Sequence, residues 1–368
     1  MKLLSLFSGI GAFEKALKNA NVDYDLVGFS EVDKFAIKSY CAIHGVGENL
    51  NLGDVSLIDV KLLPQNIDIV VHGSPCTSFS VAGKGKGGDK GSGTQSSLMW
   101  YSVDIIKKVK PKYVVWENVK NVMSKKHIHN FNQYIDELKE VGYTSYYKIL
   151  NAKDFGLPQN RERIYVVSIL DDEHTFEFPQ GFPLELKLKD ILEDSVEDKY
   201  YLSEKIQNRF KQTRTEGSII GTTAPEFRTI GQRDLVYSPN GVMGSLVATD
   251  YKQPKQIIDI SPVRLGGVFD EGGKRHQAGS IYDKEFISPT LDTMQGGWRQ
   301  PLVIDGEVVT NFKVRRLTPL ECWRLMGFSD DDFYKAKNVP TSDTQLYKQI
   351  GNSIAVPVLE NIFKNLFK

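Results

Sequence analysis

The sequence predicts an α/β protein built on a doubly wound, mostly parallel sheet with a second, smaller β-rich domain. Three observations predict it. Between residues 2 and 170, short β-type runs alternate with helical patterns in a β-α-β-α rhythm. From about 178 to 312 the pattern changes to Gly, Ser, Thr and Pro broken by short β-like pieces, and from Val314 on helical periodicity returns. The chain has 368 residues, enough for two domains of roughly 100 to 200 residues each. The expected division is a ligand-binding domain over 1–177, a second domain over 178–312, and a segment, 313–368, that packs back onto the first.

The alternation runs in order. Leu3 to Phe7 reads as a strand and Ala12 to Asn19 as a helix; Asp25 to Phe29 is followed by a helix from Lys34 to Ile43. Ile67 to Gly73 precedes a helix from Leu98 to Val109, and Tyr113 to Trp116 precedes one from Ile128 to Val141. Tyr146 to Leu150 and Ile164 to Ile169 complete the strands. In the last part, Thr318-Pro319-Leu320-Glu321 reads as an N-cap followed by Pro at the first helical position, and Pro357 to Phe367 is apolar enough to return to the first domain. Within the second domain a weak repeat at an offset of 45 pairs Val236-Tyr237 with Ile281-Tyr282 and Ser245-Leu246 with Thr290-Leu291.

Composition excludes some classes and leaves others open. The longest apolar runs, such as Ile69-Val70-Val71 and Tyr113-Val114-Val115-Trp116, are far too short to span a bilayer. Three cysteines, Cys41, Cys76 and Cys322, argue against a disulfide framework and for a reducing cytoplasm. The N-terminus reads as a first strand where a signal peptide would need a long apolar core. Lys+Arg and Asp+Glu both total 46, so the formal charge is zero, but the charge is partitioned. Residues 84 to 126 carry ten Lys against Asp89, Asp104 and Glu117, a net of +7. Residues 171 to 204 carry eleven acids against three Lys, and 205 to 316 hold 16 basic and 12 acidic residues. A polyanion partner is permitted.

In an open α/β sheet, ligands sit outside the carboxyl ends of the strands. The unusual residues fall there. Phe7-Ser8-Gly9-Ile10-Gly11 is a Gly-x-Gly turn between strand and helix, where the backbone can approach a nucleotide-like ligand. A dinucleotide fingerprint would place a third glycine at 14, which is Glu14, and a carboxylate there disfavours a pyrophosphate. Glu31 closes the second strand, where it can accept from both hydroxyls of a ribose, and Asp54 in Gly53-Asp54-Val55 can take an adenine amine. A nucleoside without phosphates fits, and S-adenosylmethionine (AdoMet) is the commonest such cofactor. Cys76 follows Ser74-Pro75 at the end of an apolar strand and opens a Gly- and Lys-rich loop. A thiolate there can add to an electron-poor ring carbon. No second Cys or His stands at metal-ligand spacing from it, so no metal is expected. Glu117 ends another strand, where a desolvated carboxyl can stay protonated and serve a ring nitrogen. Arg161 and Arg163, two apart before a strand, point the same way if extended and can address a carbonyl oxygen or a phosphate.

These pieces in this order resemble the cytosine-C5 DNA methyltransferases of bacterial restriction-modification systems and phages. The resemblance rests on Phe7-Ser8-Gly9-Ile10-Gly11, Glu31-Val32-Asp33, Gly53-Asp54-Val55, Gly73-Ser74-Pro75-Cys76, Glu117-Asn118-Val119, Gln159-Asn160-Arg161-Glu162-Arg163, Arg316-Leu317-Thr318-Pro319-Leu320-Glu321-Cys322 and Gly351-Asn352-Ser353. Only the stretch from about 178 to 312, the family's target-recognition region, lacks a shared pattern.

The resemblance implies a class I AdoMet-dependent, Rossmann-like fold and a DNA (cytosine-5-)-methyltransferase that flips its base out of a specific short duplex sequence. It implies Cys76, Glu117, Arg161 and Arg163 as catalytic residues, with Cys76 adding to C6, Glu117 serving N3 and Arg163 the O2 oxygen. It assigns Phe7, Ser8, Gly9, Ile10, Gly11, Glu31, Val32, Asp54, Val55, Pro75, Leu98, Asn352 and Ser353 to AdoMet, and Ser92 to the space left by the flipped base. Double-stranded DNA is the implied partner of a cytoplasmic monomer with no membrane association, alongside a cognate restriction endonuclease acting on the same site. Ser74 and Thr77 depart from the Phe or Pro and the Gln that many members carry, and imply changed packing around Cys76 with the chemistry intact. Two alternatives are a tRNA cytosine-C5 methyltransferase, whose short recognition region and Cys-Phe-Thr are absent here, and a catalytically inactive DNA-binding regulator.

Overall fold

The computed structural model describes the chain except residues 65, 77, 78, 80–86, 171–174, 208–210, 213–216, 260–263, 268–279, 284–301 and 305–312. It divides into two compact units. One comprises Met1–Glu193, Val242–Pro254 and Thr318–Lys368; the other comprises Asp194–Gly241 and Lys255–Leu317.

The first unit is built on a six-stranded sheet. Its elements in chain order are β1 (Lys2–Leu6), α1 (Ala12–Asn19), β2 (Asp25–Ser30), α2 (Lys34–His44), β3 (Ile69–His72), α3 (Met99–Val109), β4 (Tyr113–Val119), α4 (Ile128–Lys139), β5 (Thr144–Asn151), the two-residue β6 (Gln159–Asn160) and β7 (Glu162–Ile169). The strand order is β2-β1-β3-β4-β7-β5. Neighbours are parallel from β2 to β4, and β7 alone runs against the rest, antiparallel to both β4 and β5.

Both faces of this sheet are covered, as a parallel sheet requires. Leu4, Leu6, Val70, Val114, Trp116, Ile164 and Val166 share one core with Met99, Val103 and Ile106 of α3 and Phe131, Tyr134 and Leu138 of α4. Alternate residues of the same strands, Leu3, Ile69, Val71 and Val115, are buried on the other face. Each fully buried Leu, Ile or Val contributes about 1.5–3 kcal/mol of burial free energy. The second unit contains α5 (Glu204–Gln207), β8 (Lys211–Gln212), β9 (Ile219–Thr222) and β10 (Leu235–Tyr237). The segment after it returns to the first unit and forms β11 (Met243–Gly244), which pairs with β6. The chain re-enters the second unit with β12 (Gln256–Asp259), β13 (Arg264–Gly267), β14 (Ser280–Asp283), β15 (Leu302–Ile304) and β16 (Lys313–Arg316). A five-stranded sheet there has the order β16-β12-β10-β9-β8, around Leu202, Ile220, Val236, Ile258 and Val314.

Four helices follow in the first unit: α6 (Pro319–Arg324), α7 (Asp330–Asn338), α8 (Asp343–Asn352) and α9 (Val356–Leu366). The start of α6 matches its sequence signal. Thr318 accepts from Glu321 N at 3.2 Å while Glu321 accepts from Thr318 N at 2.8 Å, a reciprocal cap. Helix α9 packs against α1. Among the described residues no helix is long and apolar enough to cross a membrane, and the three cysteines are free.

The two units divide the chain elsewhere than at the expected boundary of 178. Residues up to Glu193 and the Val242–Pro254 segment belong to the first unit, and Lys313 to Leu317 belong to the second. Hydrogen bonds explain the return of the inner segment: Met243 N donates to Pro158 O at 2.8 Å and Leu246 N to Gln159 Oε1 at 3.2 Å. Of the 45-residue repeat, Val236-Tyr237, Ser245-Leu246 and Ile281-Tyr282 are described, and Thr290-Leu291 lies outside the described residues.

Candidate active site

The candidate residues gather at the carboxyl edge of β1 to β4. The first turn is left-handed at Phe7 (φ 54), Gly9 (φ 55) and Gly11 (φ 81), a path that glycine follows without strain. A Cβ on Gly9 would meet nothing within 4 Å, so the turn borders open space, whereas one on Gly11 would lie 2.0 Å from His44 Nε2. Glu31 is fixed against this turn. Its carboxylate accepts from Gly9 N at 2.9 Å and from Val32 N and Asp33 N, each at 2.8 Å. Asp54 caps a short turn through Ser56 N and Oγ. Val32 is exposed and Leu98 half-buried, while Val55 is in the core.

Ile10, expected to line the cofactor, has its side chain buried and its carbonyl paired with His44 Nε2 at 3.1 Å, so its place in that turn is through the backbone. Glu14 does not look out at a ligand: it is buried and accepts from Tyr40 Oη at 2.8 Å. The missing third glycine is thus filled by a core carboxylate under the turn.

Cys76 stands just past β3, half-buried, after Ser74 and Pro75, and Cys76 O accepts from Phe79 N at 3.0 Å. Ser74 is 3% exposed. Burial and the neighbouring Glu117 carboxylate push the Cys76 thiol up, while Arg163 and Arg161 pull it down. Glu117 lies on β4 with its side chain almost out of water; burial raises its carboxyl, and Arg163 and Arg161 oppose the rise. Arg163 Nε is 3.2 Å from Glu117 Oε1. The reversed direction of β7 makes this contact. Arg163 opposes Val119 in the β4 ladder, so the beginning of β7 lies at the same edge as the end of β4.

Arg161 and Arg163 were both expected in the catalytic set, with Arg163 on the O2 oxygen, and their surroundings differ. Arg161 is buried, and its guanidinium donates to Leu246 O at 2.7 Å and to Ser353 O at 2.6 Å. Burial, with Arg163 nearby, lowers its pKa to about 9. It ties the returning segment to the end of α8, and Ser353 is thereby brought beside Arg161. Asn352 is exposed. Sequence reasoning also missed Gln159, which is buried and donates to Leu325 O at 2.8 Å; its place in the same alternate register as Arg161 and Arg163 was the available signal.

Residues 77, 78 and 80–86 lie outside the described residues, so the expectations on Thr77, Lys84 and Lys86 do too. Gly88 and Lys90, which are described, have partners. Trp100 Nε1 donates to Gly88 O at 2.7 Å, and Lys90 pairs with Glu137 at 3.2 Å. Lys90 is therefore not a free cation. Ser92 is exposed, with its hydroxyl 3.1 Å from that of Thr94.

A sheet with β7 reversed, a left-handed glycine turn after β1, and a thiol, a carboxyl and an arginine converging at one edge define a methyltransferase-like site. Comparison with known proteins agrees. The family model for C-5 cytosine-specific DNA methylase matches residues 1–368, and the chain belongs to that family. Orphan methyltransferase M.SPRI of Bacillus phage SPR is 37% identical over 438 residues, covering 100% of this chain and 97% of that one. Type II methyltransferase M2.ScrFI of Lactococcus lactis subsp. cremoris is 33% identical, covering 100% and 99%. Among solved structures, the Entamoeba histolytica methyltransferase EhMeth shares the fold, with a TM-score of 0.67 at 17% identity over 100% of this chain and 98% of that one. The S. pombe Dnmt2 methyltransferase does so with a TM-score of 0.62 at 17% identity, covering 99% and 97%.

Proposed function

We propose that this chain methylates C5 of cytosine in a specific short sequence of double-stranded DNA. The observation that carries the reading is the convergence of Cys76, Glu117 and Arg163 from the ends of adjacent strands, with Arg163 paired to Glu117 at 3.2 Å. Cytosine must leave the stack before its C6 can be reached. The Cys76 thiolate then forms a bond to C6 as N3 takes a proton from Glu117, and Arg163 steadies the charge that builds on the ring. Burial suits Glu117 to this part, because it holds the carboxyl closer to its protonated form than in water.

The open side of Gly9 and the backbone-anchored carboxylate of Glu31 fit AdoMet. Phe7, Ser8, Gly9, Ile10, Gly11, Glu31, Val32, Asp54, Val55, Pro75, Leu98, Asn352 and Ser353 would hold it, with Glu31 toward the ribose and Asp54 toward the adenine. Bound there, AdoMet supplies the electrophilic methyl group that C5 takes up. Loss of the C5 proton to water, departure of the thiolate and return of the N3 proton to Glu117 then restore the aromatic ring, free Cys76 and reset the carboxyl. The Asp194–Gly241 and Lys255–Leu317 unit is the part proposed to read base edges in the major groove.

The test uses a long duplex synthesised with 5-fluorocytosine in place of every cytosine, so the recognised site need not be known. Fluorine at C5 cannot leave as a proton does, and wild type with AdoMet is expected to remain bonded to the DNA through Cys76. Absence of that adduct, or its formation by Cys76→Ser, overturns the proposal. A tRNA reading predicts the adduct on RNA and none on duplex DNA.

A further inference from the structure

The geometry points to Ser74 as a positioning residue for this reaction, one that sets the register between the turn carrying Cys76 and the strand carrying Glu117. This rests on the reading above and goes beyond it. Ser74 lies two residues before Cys76, and Pro75 between them has a fixed φ, so a displacement of Ser74 passes directly to the thiol.

The Ser74 hydroxyl oxygen accepts from Trp116 Nε1 at 3.1 Å and from Asn118 Nδ2 at 3.2 Å; its carbonyl accepts from Asn118 Nδ2 at 3.1 Å. Trp116 and Asn118 flank Glu117 on β4. In a strand they point to the face opposite Glu117. One hydroxyl thus grips β4 from behind at both neighbours of the carboxyl that has to meet N3. The grip is dry: Ser74 is 3% exposed, Asn118 1% and Trp116 0%. Trp116 cannot turn away, because its ring packs on Tyr134 with centroids 4.2 Å apart and stacks on His72 at 5.8 Å. Without the Ser74 oxygen, the buried Trp116 N–H loses its acceptor and the two strand ends lose their shared pin.

The test compares Ser74→Ala, Trp116→Phe and the double variant in single-turnover methylation of long unmethylated duplex DNA by AdoMet with a labelled methyl group. Each single change is expected to slow methyl transfer about tenfold, the equivalent of one hydrogen bond's net worth. The KM for DNA and for AdoMet should stay within about twofold, and the double variant should be no slower than the slower single. Ser74→Thr, which keeps the hydroxyl, should recover most of the rate. A wild-type rate in Ser74→Ala overturns the inference. So do single effects that multiply in the double variant, or a rate loss matched by equal losses of DNA and AdoMet binding. If Ser74→Ala does not fold, Trp116→Phe removes the same hydrogen bond from the other side and decides the matter. A wild type that forms no 5-fluorocytosine adduct condemns the parent reading, whereas a normal adduct with an indifferent Ser74 condemns this inference alone.

Discussion

Arg163 holds Glu117 through its Nε, 3.2 Å from Oε1, in a pair whose side chains are only 15% and 10% exposed. Burial lifts the carboxyl and the guanidinium restrains the lift, so the pair leaves Glu117 above its ordinary value.

That balance gives a pH signature. In the proposed mechanism adduct formation needs a protonated Glu117 together with a Cys76 thiolate, and both groups are raised. The wild-type rate should therefore climb as the thiolate fraction grows, level once Glu117 begins to ionise, and fall above the Cys76 pKa. Glu117→Gln, permanently uncharged, should be slower throughout and rise through the Cys76 pKa without the alkaline fall. Rapid-quench rates from pH 5.5 to 9.5 check this, and an alkaline fall retained in Glu117→Gln contradicts it.

The two arginines should fail differently. Arg161→Lys keeps a cation but cannot span Leu246 O and Ser353 O together, and it should destabilise the fold by about 2–3 kcal/mol. Arg163→Lys keeps a cation beside Glu117, so it should cost less stability than Arg161→Lys and mainly slow methyl transfer. Urea denaturation beside single-turnover rates separates the two, and an interchangeable pair of phenotypes would refute the assignment.

Gly351 has no room for a side chain. A Cβ there would lie 2.4 Å from Val247 C and 2.6 Å from Ala248 N, both backbone atoms. Gly351→Ala is expected to destabilise the protein by about 1–3 kcal/mol and to weaken AdoMet binding, because Asn352 and Ser353 must shift with it. Thermal melting and calorimetric titration of AdoMet measure both, and an unchanged melting temperature would show that the packing yields.

His72 ties stability to acid. It is buried beneath the site beside Tyr134 Oη at 2.9 Å, and burial holds its pKa down to about 3. An unfolded histidine protonates near pH 6.5, so the unfolded state gains protons first and the stability present above about pH 6.5 drains away on acidification. This group contributes a slope of up to about 1.4 kcal/mol per pH unit. Urea midpoints between pH 7 and 5 should fall in wild type and fall less in His72→Gln; equal slopes would remove His72 from the account.

Much of the first unit was legible because strand and helix leave different periods in a chain. The direction of β7 was not, since a buried strand such as Ile164 to Ile169 reads alike both ways, and yet that direction brings Arg163 to Glu117. Cys76 drew notice from its place just after a strand and Glu117 from its place near the end of one. The buried tether made by Arg161 and the Ser74 grip were not legible, because their partners stand 192 and 44 residues away. The burial of Glu14 against Tyr40 was not legible either, because it depends on packing that no local pattern records.

The return of Val242–Pro254 to the first unit bears on how this family's specificity can be transplanted. The 178 to 312 stretch proposed to read DNA is not one removable cassette, because its middle supplies the carbonyl that Arg161 grips and the amide that Gln159 receives. A graft spanning 178 to 312 would exchange part of the catalytic scaffold along with the reader. One that retains the recipient's 242–254 and replaces only the flanking pieces would leave that scaffold untouched, and is the exchange to attempt first.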